Sequence, residues 1–215
     1  MRGIIFTGGL APLPEYCKSI VKKNDLVIAA DSGLVLTESA GIRTDMIIGD
    51  MDSIDSADRL AKYPPGIIKR FSHDKDFTDT ELAFNFLLEK GCNEIWIIGG
   101  GGGRIDHLFA IRSMFEREKP PDRWITSQEE IICLDNGKEI NLFVKQDDPV
   151  SVFPLGDGPW EAESKGLKWQ LPCDEWNRGS FGVSNIAPNG KFNLRSIRGR
   201  LMAVVPIGDK IGRNN

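Results

Sequence analysis

The chain has 215 residues, enough for one or two domains with a core of ordinary size, and its 40% apolar and 27% charged residues are ordinary globular values. No apolar run approaches the roughly 18 residues of a membrane span, and a formal charge of -4 gives no broad electrostatic footprint for nucleic acid. A soluble protein with neither membrane nor nucleic-acid partners is expected.

In chain order, residues 1–9 hold too short an apolar stretch for a signal peptide and read directly as a first strand, so a cytoplasmic location is expected. Apolar runs follow at 26–30, 46–48, 67–68 and 95–98, each closing near Gly or Asp, and helical patterns at 14–22, 34–40, 79–90 and 105–117 lie between several of them. This alternation predicts a mostly parallel, three-layer α/β domain over residues 1–120. Ligands of such sheets sit beyond the carboxyl ends of the strands. Those ends carry Thr7-Gly8-Gly9, Asp31-Ser32-Gly33, Asp50-Met51-Asp52 and the glycine run from Gly99 to Gly103.

Adjacent prolines in Lys119-Pro120-Pro121-Asp122 stop the preceding helix, and residues 121–215 alternate in strand fashion. Strands at 131–134 and 140–144 flank Asp135-Asn136-Gly137-Lys138, and Asn-Gly is a strong hairpin signal. Further strands are expected at 150–154, 167–171, 182–185 and 201–205, giving an antiparallel β-sandwich or barrel domain. The polar tail, 208–215, is expected to fray. Cys17, Cys92, Cys133 and Cys173 are far apart with no C-x-x-C pair, so reduced, buried thiols are expected.

The chemistry concentrates in two acidic segments. Asp50 and Asp52 stand two apart, so in extended backbone both carboxylates face one side and one hexacoordinate cation can bridge them. Magnesium favours oxygen ligands at about 2.0 to 2.1 Å and keeps waters and phosphate oxygens beside one or two carboxylates. The alternative is a solvated turn capped by Asp, against which stands the lack of any Lys or Arg between Asp45 and Asp58. Ser53 either ligates through its hydroxyl or caps the turn. Downstream, Thr78-Asp79-Thr80-Glu81 fits a capping box, which gives Glu81 a structural role. Asp76 precedes that helix and is better placed for a cation or substrate. Asp79 suits either the helix dipole or a ligand. Lys75 neutralises its neighbours or meets a phosphoryl oxygen.

Gly99 to Gly103 follow a strand and open a helix, so their amides suit a triphosphate cradle at a helix amino terminus, with a mobile loop as the alternative. The run is neither a dinucleotide fingerprint nor a P-loop. Arg104 adds a fork that matches phosphate. Asp106 and His107 have capping and packing as their plain alternatives. With His73 and His107 as its two histidines, the chain is not expected to build a histidine metal cluster.

Gly49-Asp50-Met51-Asp52-Ser53, the segment from Asp74 to Ala83 and Gly102-Gly103-Arg104-Ile105-Asp106-His107, in this order and spacing, resemble the thiamin pyrophosphokinase (thiamin diphosphokinase) family. The resemblance extends to Ala30-Asp31-Ser32-Gly33, Gly166-Leu167-Lys168-Trp169 and Val183-Ser184-Asn185, and so covers most of the chain. It implies an amino-terminal α/β catalytic domain binding ATP and Mg2+, a carboxy-terminal β domain for thiamin binding and dimerisation, and a homodimer with active sites between subunits. The implied reaction moves the terminal pyrophosphoryl group of ATP to the hydroxyethyl oxygen of thiamin, giving thiamin diphosphate and AMP.

By likeness, Asp50, Asp52 and Asp76 are metal candidates. Lys75 and Arg104, with Gly101, Gly102 and Gly103, would hold phosphate. Asp31, Thr78, Asp79 and Asp106 would line the nucleotide or substrate pocket, with Asp79 or Asp106 accepting the alcohol proton, and Ser184 and Asn185 would meet thiamin. Two departures stand out. Ile111 occupies a place where the family often has Asn, and Arg198-Gly199-Arg200-Leu201 lacks the aromatic that some relatives present to thiamin, leaving Trp169, Trp176 or the partner subunit for stacking. Competing readings are a pyrophosphokinase for another alcohol, such as a hydroxymethyl pterin, and a non-catalytic nucleotide-binding regulator.

Overall fold

A computed structural model describes residues 1–52, 57–74, 76–171, 176–177 and 179–207. The chain divides into two compact units, one of Met1–Met114 with Trp124–Ser127, the other of Phe115–Arg123 with the chain from Gln128 onward.

The first unit runs β1 (Arg2–Thr7), α1 (Pro14–Ile20), β2 (Leu26–Ala30), α2 (Gly33–Ser39), β3 (Met46–Gly49), α3 (Ala57–Leu60), β4 (Ile68–Arg70), α4 (Asp79–Glu89), β5 (Glu94–Gly99) and α5 (Ile105–Met114), and ends at β6 (Arg123–Ile125). β1 pairs in parallel with both β2 and β5, β3 adds to β2 and β4 to β3. The resulting order is β6-β5-β1-β2-β3-β4. The chain thus works outward from β1 and then crosses back to its other side, which puts a switch point between the carboxyl ends of β1 and β5.

Burial explains the choice of residues. Ile4, Ile5 and Phe6 are all fully buried, as a strand covered on both faces requires. Ile4 and Phe6 pack with Cys17 of α1 and with Leu36 of α2. The opposite face is covered by α4, whose Thr80, Ala83, Phe84 and Leu87 recur at helical spacing and are buried. No helix among the described residues is long and apolar enough to cross a membrane.

The second unit contains β7 (Glu129–Leu134), β8 (Glu139–Phe143), β9 (Pro149–Leu155), β10 (Glu161–Lys165), β11 (Gly182–Ile186), β12 (Lys191–Arg198) and β13 (Arg200–Pro206). β11-β9-β13-β7 is one antiparallel arrangement and β10-β12-β8 a separate antiparallel sheet. Ile132, Val152 and Ala203 from the first meet Leu142, Ala162 and Leu194 from the second in one apolar cluster. The unit is therefore a sandwich.

Local expectations failed in places, each for a physical reason. Residues 135–138 do form a tight turn, with the Lys138 amide donating to the Asp135 carbonyl at 2.9 Å. That turn is not a hairpin, however: β7 pairs with β13 and β8 with β12, so it carries the chain from one sheet to the other. The strand expected at 167–171 is absent. Gly166, at φ +92, turns the chain out of β10, and the Asn185 side chain then clasps Trp169, accepting from its amide at 3.2 Å and donating to its carbonyl at 2.7 Å. Strands β6, β10 and β12 were missed.

Helix α5 ends at Met114, short of residue 117. The Arg200 guanidinium donates to the carbonyls of Phe115, Arg117 and Glu118 and ties that segment into the second unit. The tail 208–215 and Cys173 lie outside the described residues.

Cys17 and Cys92 are buried and Cys133 is half-buried, all as free thiols. Burial lifts the Cys17 thiol from its ordinary 9.0 to about 11, and burial followed by the Asp135 charge lifts Cys133 to about 12. Thiolate is the reactive form, so iodoacetamide at pH 8 is expected to spare both in the native protein and to alkylate both in urea, as read by peptide mass mapping. For Cys17, the unfolded chain loses its proton first between 9.0 and about 11. Its contribution to stability therefore declines as pH rises through that window. Rapid alkylation of the native protein would contradict the packing.

Candidate active site

A cleft of about 510 Å3 opens beyond the carboxyl ends of β1, β2, β3 and β5. Its walls are Thr7 to Gly9 after β1, Asp31 and Ser32 after β2, Asp50 after β3, the segment from Asp76 to Thr80, and Gly100, Gly102, Gly103, Arg104 and His107 on the β5–α5 side.

On the acidic wall, Gly49 ends β3. A side chain there would put its first carbon 3.2 Å from the Asp31 Cβ and 3.3 Å from the Asp79 Cγ. The missing side chain is what lets these two carboxylates flank one strand end. Asp31 is fixed by its amide, which donates to the Ile48 carbonyl at 2.9 Å, and it sits at φ +47. Its Oδ1 is buried and accepts no hydrogen bond among the described residues. Met51 adopts φ +67 and buries its side chain among Ala29, Leu34, Ile47 and Leu60. The backbone between Asp50 and Asp52 is thus a turn anchored by Met51, not the extended segment expected from spacing. The two carboxylates still converge, and both approach His73: Nδ1 lies 3.0 Å from Asp50 Oδ2 and 3.4 Å from Asp52 Oδ2.

Thr78 caps α4. Its hydroxyl accepts from the Glu81 amide at 3.2 Å, and Glu81 accepts from the Thr78 amide at 2.9 Å, the reciprocal capping box expected from sequence. A buried hydroxyl pair, Thr7 and Thr80 at 2.8 Å, ties the same helix start to the end of β1. The opposite wall is the glycine loop, pinned to the segment after β1. The Gly100 amide donates to the Gly8 carbonyl at 2.8 Å, and Leu10 and Gly101 exchange both backbone hydrogen bonds.

The profile of the family described as "Thiamin pyrophosphokinase, catalytic domain" matches residues 17–125. The chain belongs to the thiamin pyrophosphokinase family. It is 28% identical over 179 residues to a thiamine pyrophosphokinase of Bacillus subtilis, an alignment covering 78% of this chain and 80% of that protein. The crystal structure of the B. subtilis thiamine pyrophosphokinase superimposes with a TM-score of 0.79 at 25% identity, covering 96% and 99% of the two chains. That of the Geobacillus thermodenitrificans thiamin pyrophosphokinase has the same fold, with a TM-score of 0.74 at 23% identity over 98% and 99%.

For a thiamin pyrophosphokinase fold, the cleft gathers much of what the sequence singled out. Asp31, Asp50, Asp76, Thr78, Asp79, Gly102, Gly103 and Arg104 line it. The tightest cluster of metal-binding side chains among the described residues is Asp50, Asp52 and His73, not Asp50, Asp52 and Asp76. Asp76 lies in the cleft wall but outside that cluster. Gly101 is spent on Leu10 in both its amide and its carbonyl, so it has no donor left for phosphate.

Asp106 pairs with Arg104, accepting from Nε at 3.1 Å and from a terminal nitrogen at 2.5 Å. This hydrogen bond, with the opposite charge of each partner, holds the Asp106 carboxyl below and the Arg104 guanidinium above their usual ranges. Ser184, at φ +59, and Asn185 belong to β11 of the second unit, where Asn185 clasps Trp169. Ile111 forms an apolar stretch of the cleft wall and is buried. Lys75 and Ser53 lie outside the described residues.

Thr7 lines the cleft at the strand end where the sequence placed it, whereas sequence reasoning gave His73 and the exposed ring of Phe77 no role in the site.

Removing the cap tests the helix start. Thr78→Ala is expected to lower stability by about 1 kcal/mol, read as a shift of the urea midpoint with unchanged slope. An unaltered midpoint would mean that the α4 terminus is held by other contacts.

Proposed function

We propose that this chain transfers the pyrophosphoryl group of ATP to the hydroxyethyl oxygen of thiamin, and that the cleft beyond β1, β2, β3 and β5 is where it does so. The observation that carries the reading is the pairing of opposite chemistries across one cleft in a chain of this family: carboxylates on one wall, glycine amides and a guanidinium on the other. A polyphosphate bridging those walls satisfies both.

The residues present fit a divalent cation. Asp50 and Asp52 converge, and in the same cleft the buried Asp31 Oδ1 accepts no hydrogen bond among the described residues, a condition that is costly without a partner. Asp50 and Asp52 would hold Mg2+, with Asp76 within the same cleft. When bound, the ion neutralises non-bridging oxygens of the donor and templates its approach.

The chain's own groups supply the rest. Gly102 and Gly103 amides and Arg104 approach the phosphates from the helix α5 side. Phe77, half-exposed in the cleft wall, offers a face on which an aromatic ring of ATP or thiamin can stack. The alcohol oxygen attacks the β-phosphorus, the bond from that phosphorus to the α,β-bridging oxygen breaks, and AMP departs carrying the bridging oxygen. Asp79 lines the cleft and is the better acceptor for the alcohol proton. Asp106 pairs with Arg104 and is not among the described residues that line the cleft.

A cytoplasmic homodimer completes the proposal. The second unit exposes Phe143, Trp169, Phe181 and Val183, apolar surface of the kind buried in subunit contacts, and Ser184 and Asn185 adjoin it as thiamin-side candidates. Sedimentation tests the dimer.

Incubation with Mg-ATP and thiamin is expected to yield AMP and thiamin diphosphate in equal amounts. Activity only with another alcohol, such as a hydroxymethyl pterin, would reassign the acceptor, and saturable nucleotide binding without AMP would make the chain a regulator. Asp52→Asn, at a half-exposed side chain, is expected to keep the fold and lower turnover by about 100-fold or more. Near-normal activity at saturating Mg2+ would remove Asp52 from the ligand set.

A further inference from the structure

We infer that His73 is a third protein ligand of the cation site formed by Asp50 and Asp52, and that its nitrogen tilts this site toward ions that take mixed nitrogen and oxygen donors, of the cobalt and zinc kind, over magnesium. The inference rests on the reading that Asp50 and Asp52 hold a divalent cation.

Three observations carry it. His73 Nδ1 and one oxygen from each of Asp50 and Asp52 lie within 4.8 Å of one another, on side chains brought from two separate segments of the chain. The nitrogen is hydrogen-bonded to the Asp50 oxygen at 3.0 Å, through a proton that an ion would replace, and stands 3.4 Å from the Asp52 oxygen. Donors around an ion with bonds of about 2.0 to 2.1 Å are spaced about 3.0 Å apart at right angles and about 3.4 Å apart at tetrahedral angles. Finally, the His73 side chain is 84% exposed while Asp50 is 13% exposed. The imidazole is thus accessible to an ion while the carboxylate it touches is recessed.

Donor type decides the ion. A set of carboxylates and waters suits magnesium, whereas imidazole adds affinity for later first-row divalent ions and little for magnesium. One histidine joining two carboxylates is a facial set of mixed donors that leaves positions open for phosphate oxygens.

The test uses the tag-free full chain. Electron spin-echo modulation of bound Mn2+ is expected to show nitrogen coupling in the native protein and none in His73→Gln, while His107 is untouched. By titration calorimetry, His73→Gln is expected to weaken Co2+ binding about tenfold or more and to change Mg2+ binding by less than about twofold. Asp52→Asn is the control and is expected to weaken both ions. Coupling that persists in His73→Gln, or equal losses for Co2+ and Mg2+, would overturn the role of His73 while leaving the carboxylate site intact. Binding of both ions unchanged in Asp52→Asn would overturn the carboxylate site itself.

Discussion

Carboxylates held together where β2 and β3 end are the constraint on which the rest of the first unit depends. Asp31 and Asp79 both come within about 3.3 Å of the point where a Gly49 side chain would stand, and Asp50 follows in the next position. Like charges gathered at one strand end repel. The fold overcomes this by rigid anchoring on the protein side of each acid. Asp31 is tied through its amide to β3, Asp79 is the first residue of a helix with a reciprocal cap, and Met51 plugs the core between Asp50 and Asp52. Two of the backbone conformations involved, Asp31 at φ +47 and Met51 at φ +67, are ones that side-chain-bearing residues rarely adopt. Strain of this kind persists where surrounding packing over-determines it, and it clusters at functional sites.

The glycine loop solves the complementary problem. A loop rich in glycine is costly to order, yet here it is fastened at both Gly100 and Gly101 to the segment after β1. Gly102 and Gly103 line the cleft without such a fastening, and Gly100 lines it while fastened. The run is therefore divided at the level of single residues. Two glycines serve as structural joints and two as an open surface, and nothing in a run of identical residues distinguishes them beforehand.

That division marks how much was legible in the sequence. The parallel sheet could be read because its strands are buried on both faces and form continuous apolar runs, such as residues 3–6 and 95–98. The capping box could be read because it is local, set by Thr78 and Glu81 alone. Strand pairing in the second unit was hidden because partners there are chosen by distant sequence: the Asn136-Gly137 turn is correctly placed, yet its flanking strands find β13 and β12 instead of each other. The missed β12 does alternate, with Phe192, Leu194 and Ser196 inward, but charged neighbours dilute the pattern. His73 was hidden for a related reason. Its proximity to Asp50 spans 23 positions, and a single histidine carries no spacing signal of its own.

Arg104 shows how the site can be ready for an anion without holding an unpaired charge. Its guanidinium is engaged by Asp106 in a two-pronged pair on exposed side chains. Ion pairs in such surroundings are worth little, because solvent screens them. A polyphosphate offers the same fork geometry with more negative charge and with the α5 amino terminus behind it. Under the proposed function, exchange of Asp106 for phosphate would trade a weak contact for a stronger one, with Asp106 holding the Arg104 side chain beforehand. The same logic explains why Ile111 is tolerated next to this wall. On the proposed reading charge recognition falls to Arg104 and the glycine amides, so the buried Ile111 leaves the apolar side of the cleft without a polar group that would need a partner of its own.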